Sequence, residues 1–135
     1  GAKRVVFVEK ESKCVGVIEE NIEILKIIPD EQDNTLFEVI HGNALAFIKI
    51  LAHQKKGFDV IFVDPPYGRG LAKKALKILG AYDIVRPNCT VVIQHEKKEI
   101  LPETQGRFLL FRQKKYGVSL LLFGIKILNN IKSIK

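Results

Sequence analysis

Apolar residues along the chain recur with two different periods, and the two kinds of segment alternate. Three short segments are almost wholly apolar and rich in β-branched residues, as expected of strands buried on both faces: 4–9, 36–40 and 58–63. Each is followed by a longer segment in which apolar residues recur every three or four positions, which predicts amphipathic helices from Ser12 to Pro29, over 44–52 and over 71–80. Strands that alternate with helices predict a mainly parallel, doubly wound sheet.

The last third of the chain breaks this alternation. A fourth strand is predicted at 90–94, and two later apolar runs, 107–111 and 119–123, lie too close together for a helix to join them. Strands joined by so short a connection run antiparallel. The sequence therefore predicts an α/β, Rossmann-like fold that is mainly parallel and ends in an antiparallel hairpin. We expect a single domain over 1–127 and a polar tail over 128–135.

Charge changes the picture by indicating a partner. The 135 residues carry 22 lysines and arginines against 15 acids, a net charge of +7, and the bases fall in clusters at 55–56, 69–77, 97–98 and 107–115. A basic domain favours an anionic partner such as nucleic acid, because binding to phosphates releases counterions.

The sequence shows no pattern typical of a membrane segment, a secretion signal or a metal site. No apolar run approaches the roughly 20 residues that cross a bilayer, and the N-terminus lacks the pattern of a signal peptide. Cys14 and Cys89 lie far apart, and neither they nor the three histidines show metal-ligand spacing. We therefore expect a cytoplasmic protein without membrane or metal partners.

Polar residues follow each of the first three predicted strands. Glu9 ends the first strand, Asn43 lies just beyond the second, and Asp64 follows the third. Ligands of such sheets bind beyond the carboxyl ends of the strands, where an acid commonly receives ribose hydroxyls. The three positions together predict a nucleotide-type site at this edge.

The turn after the third strand, Asp64-Pro-Pro-Tyr67, carries the most distinctive chemistry. Proline fixes φ and has no N–H, so this turn offers carbonyl and carboxylate acceptors in fixed directions. Such acceptors suit a ligand amine with two N–H bonds, and Tyr67 offers a flat face on which a base can stack. Holding both hydrogens of an exocyclic amine would direct its lone pair at an electrophile.

These residues resemble the class I S-adenosylmethionine (SAM)-dependent methyltransferases, and more narrowly the bacterial 16S ribosomal RNA guanine-N2 methyltransferases. The resemblance rests on "VFVEKE", "HGNALAFI", "FVDPPYGRGL" and the final "KKYGVSLLLFG". It implies that SAM is the cofactor and that ribosomal RNA or the small ribosomal subunit is the partner.

The resemblance also implies a role for each site residue. Asp64, Pro65, Pro66 and Tyr67 would hold the target amine, Asp64 also contacting the cofactor. Glu9 would bind the cofactor ribose, and Lys10, Asn43 and Ala44 would lie beside its adenine.

The chain departs from the family pattern at its start. The family begins its core with a strand and a glycine-rich loop for the methionine part of SAM, and this sequence shows neither before Arg4. Because the resemblance places that strand between the strands at 4–9 and 58–63, we expect both to lack a neighbour. We also expect the chain to be a fragment of a longer methyltransferase.

Three other functions stay open. A DNA adenine or cytosine amino-methyltransferase would use a similar turn, but usually carries an extra target-recognition region. A protein glutamine methyltransferase more typically has Asn at position 64. A non-catalytic RNA-binding or assembly module could keep the fold without binding SAM.

Overall fold

A computed structural model describes residues 1–27, 36–116 and 120–127, the last segment as backbone only. The elements in chain order are β1 (Arg4–Glu9), α1 (Ser12–Ile27), β2 (Leu36–His41), α2 (Ala44–His53), β3 (Phe58–Val63), α3 (Leu71–Ala81), β4 (Val85–Glu96), β5 (Thr104–Gln105), β6 (Phe108–Tyr116) and β7 (Leu120–Ile127). They divide into two compact units, 1–47 and 48–135. Among the described residues, no helix is long and apolar enough to span a membrane.

The first unit is a β-α-β arrangement. β1 and β2 pair in parallel, from Arg4 opposite Leu36 to Glu9 opposite His41. α1 connects the two strands and packs on both, with Ile22 as its buried residue. An ion pair between Arg4 and Glu38 joins the strands at their exposed end.

The second unit holds a five-stranded sheet in the order β3-β4-β7-β6-β5. β3 and β4 are parallel and are connected by α3. The other neighbours are antiparallel, which confirms the predicted hairpin of β6 and β7.

The core of the second unit lies between α3 and one face of β4. Every second residue of β4 is buried, starting at Cys89 and ending at His95. α3 offers this face its small residues and leucines, at the spacing predicted from sequence: Ala72, Ala75, Leu76 and Leu79. Phe108 of β6 is 1% exposed and completes the cluster.

The predicted fourth strand was too short, because β4 begins at Val85 and not at Thr90. Pro87 and Asn88 suggest a loop, yet both lie in a bulge where the register with β3 shifts, and Asn88 has a positive φ of 64°. A bulge leaves residues outside the hydrogen-bonded ladder, so a proline without an N–H fits there. The hairpin strands are also longer than predicted, and the two-residue β5 was missed.

The strands form two sheets, and each sheet has an edge strand that the family resemblance predicts to lack a neighbour. Within the described chain β1 pairs with β2 alone, and β3 pairs with β4 alone. The predicted polar tail, 128–135, and the loop at 30–35 lie outside the described residues. The single domain over 1–127 stays a prediction.

Candidate active site

Asp64, Pro65, Pro66 and Tyr67 lie together in the turn that follows β3. Pro65 is half-buried, and the other three are exposed. Gly68 and Gly70 follow with φ angles of 77° and 61°, a left-handed backbone that glycine adopts without strain. These glycines let the chain turn sharply, and the exposed Asp64 is accessible at the carboxyl end of the strand.

A residue of the neighbouring strand holds Tyr67. Gln94 of β4 donates a hydrogen bond from Nε2 to the Tyr67 hydroxyl at 3.2 Å. Because Val63 pairs with Ile93 in the parallel ladder, Gln94 is level with Asp64. The Tyr67 side chain is thus tied at its tip while the residue stays 42% exposed, which leaves part of the ring open to a ligand.

A side chain from beyond β4 holds the start of α3, the helix that follows the turn. The Lys73 N–H in the first turn of α3 donates to Oε1 of Glu99 at 3.0 Å. A carboxylate at this position satisfies a donor that has no partner within the helix. It also interacts favourably with the positive end of the helix dipole. The segment between β3 and α3 is therefore anchored at both ends.

Glu9 lies at the carboxyl end of β1 and is half-buried. Its Oε1 accepts the Glu11 N–H at 2.8 Å, which fixes the direction of the carboxylate. Lys10 is exposed; its carbonyl is 2.9 Å from Nε2 of His41, and its ammonium lies 3.6 Å from Glu11. An ionised carboxylate has about four acceptor positions, so Glu9 retains capacity for ligand hydroxyls.

Asn43 has a structural task at the start of α2. Its Oδ1 accepts the N–H groups of Leu45 at 2.9 Å and Ala46 at 3.3 Å, the pattern of a helix N-cap. Ala44 is the first residue of the helix and is exposed. Capping employs the amide oxygen of Asn43, and its NH₂ group is a separate donor.

The structure thus forms two groups from the predicted residues. Asp64 to Tyr67 cluster with Gln94 in the second unit. Glu9, Lys10, Asn43 and Ala44 lie at the ends of paired strands in the first unit. Sequence reasoning missed Gln94, although the parallel pairing of the strands it predicted would have placed this residue beside the turn.

Neither cavities nor metal-ligating clusters point to another centre. A cleft of about 140 Å³ in the first unit is lined by residues of α1 and β2, and one of about 420 Å³ in the second by residues around the start of β4. Neither contains a predicted site residue. Within 1–27, 36–116 and 120–127, no three His, Cys, Asp or Glu side chains are placed to hold a metal ion.

Known proteins resemble the chain over most of its length. The family model described as Conserved hypothetical protein 95 matches residues 1–125. Ribosomal RNA small subunit methyltransferase D of Haemophilus influenzae is 30% identical over 117 residues, which are 87% of this chain and 57% of that protein.

Solved structures share the fold. A conserved hypothetical protein of Streptococcus pyogenes is 26% identical with a TM-score of 0.77, over 93% of this chain and 72% of that one. SMU.776, solved in complex with SAH, has a TM-score of 0.68 over 94% of this chain and 40% of that one, and at 16% identity shows likeness of fold alone. The chain spans about three fifths of the length of the curated relatives it matches.

Proposed function

Because the chain belongs to the family Conserved hypothetical protein 95 and is related to small-subunit ribosomal RNA methyltransferases, we propose that it takes part in methylating an exocyclic amine of ribosomal RNA. The expected methyl donor is SAM, and the expected target is N2 of a guanine in 16S RNA. The observation that carries this proposal is the Asp64–Tyr67 turn, held at the carboxyl end of β3 with Tyr67 tied to Gln94.

The turn suits an exocyclic amine for reasons of hydrogen bonding. Pro65 and Pro66 bring no N–H donors, so the turn offers the two N–H bonds of the target a carboxylate and fixed carbonyls. Such a nitrogen is a weak nucleophile because its lone pair is delocalised into the base. Holding both hydrogens aims that lone pair, and orientation of this kind lowers the barrier to transfer.

Tyr67 supplies the second part of base recognition. Its hydrogen bond to Gln94 reduces the number of positions the ring can take. A base that stacks on the ring gains about 1–3 kcal/mol by the usual measure of aromatic stacking. The amine of that base would then lie at the acceptors of the same turn.

The residues at the end of β1 fit the ribose of SAM. Glu9 presents an oriented carboxylate beyond a parallel strand, which is the position and chemistry that bind ribose hydroxyls in related folds. Lys10, Asn43 and Ala44 would lie beside the adenine, and the NH₂ of Asn43 is the group suited to its acceptor nitrogens. When bound, the cofactor supplies the methyl group on a positively charged sulfur.

The test is transfer of a labelled methyl group from SAM to unmodified small ribosomal subunits. We would assay the chain as it stands and a version extended at its N-terminus with the corresponding segment of the H. influenzae relative. The product is identified by digesting the RNA and locating N2-methylguanine by mass spectrometry. Methylation of duplex DNA or of a glutamine peptide instead of RNA would overturn the proposal.

A variant separates catalysis from cofactor binding. Asp64→Ala should abolish transfer and leave SAM binding largely intact, because Asp64 mainly holds the amine. Asp83→Ala is a matched control, since this carboxylate is 94% exposed and lies away from the turn, 3.7 Å from Arg107. Loss of SAM binding in Asp64→Ala would mark Asp64 as mainly a cofactor contact. RNA binding without transfer by either version would instead indicate a non-catalytic module.

A further inference from the structure

The second half of β6 is exposed on both sides of the strand. From Phe111 to Tyr116 every residue is exposed, and three of the six are basic with none acidic. A strand interior of this kind buries nothing, so packing does not explain its composition. The three bases are Arg112, Lys114 and Lys115.

Register places this part of β6 beside the candidate active site. Leu122 of β7 pairs with Gln94 on one side and with Lys114 on the other. Residues opposite each other in antiparallel pairs share a face, so Gln94 and Lys114 lie on one face of the sheet, about 10 Å apart across two strand spacings. Gln94 also holds Tyr67. Across the sheet, Gln94 therefore lies between the Tyr67 side chain that it contacts and Lys114.

Alternation extends this face along β6. Arg112 and Tyr116 lie two residues to either side of Lys114 and point to the same face. The Lys114 ammonium lies 5.3 Å from the centre of the Tyr116 ring, a cation–π contact that holds a half-exposed aromatic face beside a charge. Glu96, level with Tyr116 across the sheet, is half-buried and adds one acid to this face.

Further bases lie at the end of the same strands. Lys97 directly follows β4, and interaction with its side chain, including its like charge, lowers the pKa of Lys115. Lys115 is level with His95 through Leu121, so alternation places Lys115 on the other face of the sheet from Gln94, Lys114 and Tyr116.

We propose that Arg112, Lys114 and Tyr116, together the β6 basic surface, bind the RNA strand next to the nucleotide held at Tyr67. The inference rests on the proposed function and adds where the rest of the substrate lies. Positive side chains with an interleaved aromatic are the means by which proteins follow single-stranded nucleic acid without reading its sequence. Charge complementarity and the continuous path to Tyr67 favour RNA over an acidic protein or a lipid surface.

The test compares two double variants that lose the same charge. One is Arg112→Gln/Lys114→Gln; the control, Lys13→Gln/Lys49→Gln, removes exposed lysines from α1 and α2. Affinity for a fluorescent, unmodified 16S RNA fragment is measured against salt concentration. Each lost contact with a single-stranded phosphate lowers the salt slope by about 0.7, so the first variant should lose about 1.4 from the slope. We expect at least about a tenfold loss of affinity at low salt from that change and less than threefold in the control.

A third variant tests the aromatic residue. Tyr116→Leu should weaken RNA binding by roughly fivefold or more through lost stacking, while Tyr116→Phe keeps the ring and the affinity. Equal losses in the two double variants, or loss of binding to anionic vesicles with RNA affinity unchanged, would overturn the inference. Because these measurements need neither SAM nor transfer, they separate the two proposals. Methylation of a substrate other than RNA refutes the function, whereas normal RNA affinity in the first double variant refutes only the surface.

Discussion

Replacing Tyr67 by phenylalanine and by alanine separates the hydroxyl of this residue from its ring. The hydroxyl takes part in one neutral hydrogen bond, from Gln94 at 3.2 Å, in a residue that is 42% exposed. A bond of this kind contributes about 0.5–1 kcal/mol net, because water replaces it when it is lost. Tyr67→Phe should therefore lower kcat/KM by up to about fivefold.

Tyr67→Ala removes the ring as well. Stacking of one base on an aromatic ring is worth about 1–3 kcal/mol, which corresponds to a loss of roughly 5- to 150-fold in kcat/KM. The assay is methyl transfer to unmodified small subunits, using the N-terminally extended version if the chain alone is inactive. Binding of SAM is measured in parallel and should be unchanged in both variants.

Gln94→Leu completes a double-mutant cycle with Tyr67→Phe. If Gln94 acts by positioning Tyr67, the two changes together should cost no more than either one alone, because each removes the same hydrogen bond. Additive losses would show that Gln94 has a separate role. Our account of the ring is refuted if Tyr67→Phe is as damaging as Tyr67→Ala, or if Tyr67→Ala stays within twofold of the parent.

Three further predictions concern stability and the proposed contact of Asn43 with SAM. Phe108→Ala should lower the free energy of unfolding by about 3–5 kcal/mol, whereas Phe111→Ala, at a residue 52% exposed, should cost under about 1 kcal/mol in the same denaturant titration. Burial, then the Asp59 charge, raises the pKa of the Cys89 thiol to about 11. Because the thiol ionises at lower pH in the unfolded chain, up to about 3 kcal/mol of stability present below pH 9 should be lost between pH 9 and 11. This loss should be absent from Cys89→Ala. Asn43→Ala should destabilise α2 by about 1 kcal/mol, while Asn43→Asp keeps the cap and weakens SAM binding alone; unchanged SAM affinity in Asn43→Asp would count against an adenine contact.

The sequence predicted the elements that one strong local pattern defines. β1 and β3 begin and end at the predicted residues, because each is a continuous apolar run between polar or turn-forming residues. The helices follow their three- and four-residue apolar spacing to within a few residues. The Asp64–Tyr67 turn was also recognisable, since its residues are consecutive and their chemistry is unusual.

Features that depend on pairing between distant segments were not predictable in the same way. The bulge around Pro87 exists because β3 fixes the register on both sides of it. The residues next to Pro87 do not indicate that β3 is the partner strand. The contact of Gln94 with Tyr67 requires the same pairing. The position of Asn43 before an apolar helix is typical of an N-cap, but sequence reasoning assigned this residue only a role in ligand binding.

The position of β3 in its sheet has a consequence for the behaviour of the chain in solution. Within the described residues this strand pairs on one side only, and it carries two large exposed side chains, Val60 at 53% and Phe62 at 78%. A strand edge with apolar neighbours is a template for adding a strand from another molecule. Concentrated solutions of the chain should therefore self-associate through β3, and light scattering that stays flat with concentration would exclude this. The strand that precedes the Asp64–Tyr67 turn is therefore also a candidate site of aggregation.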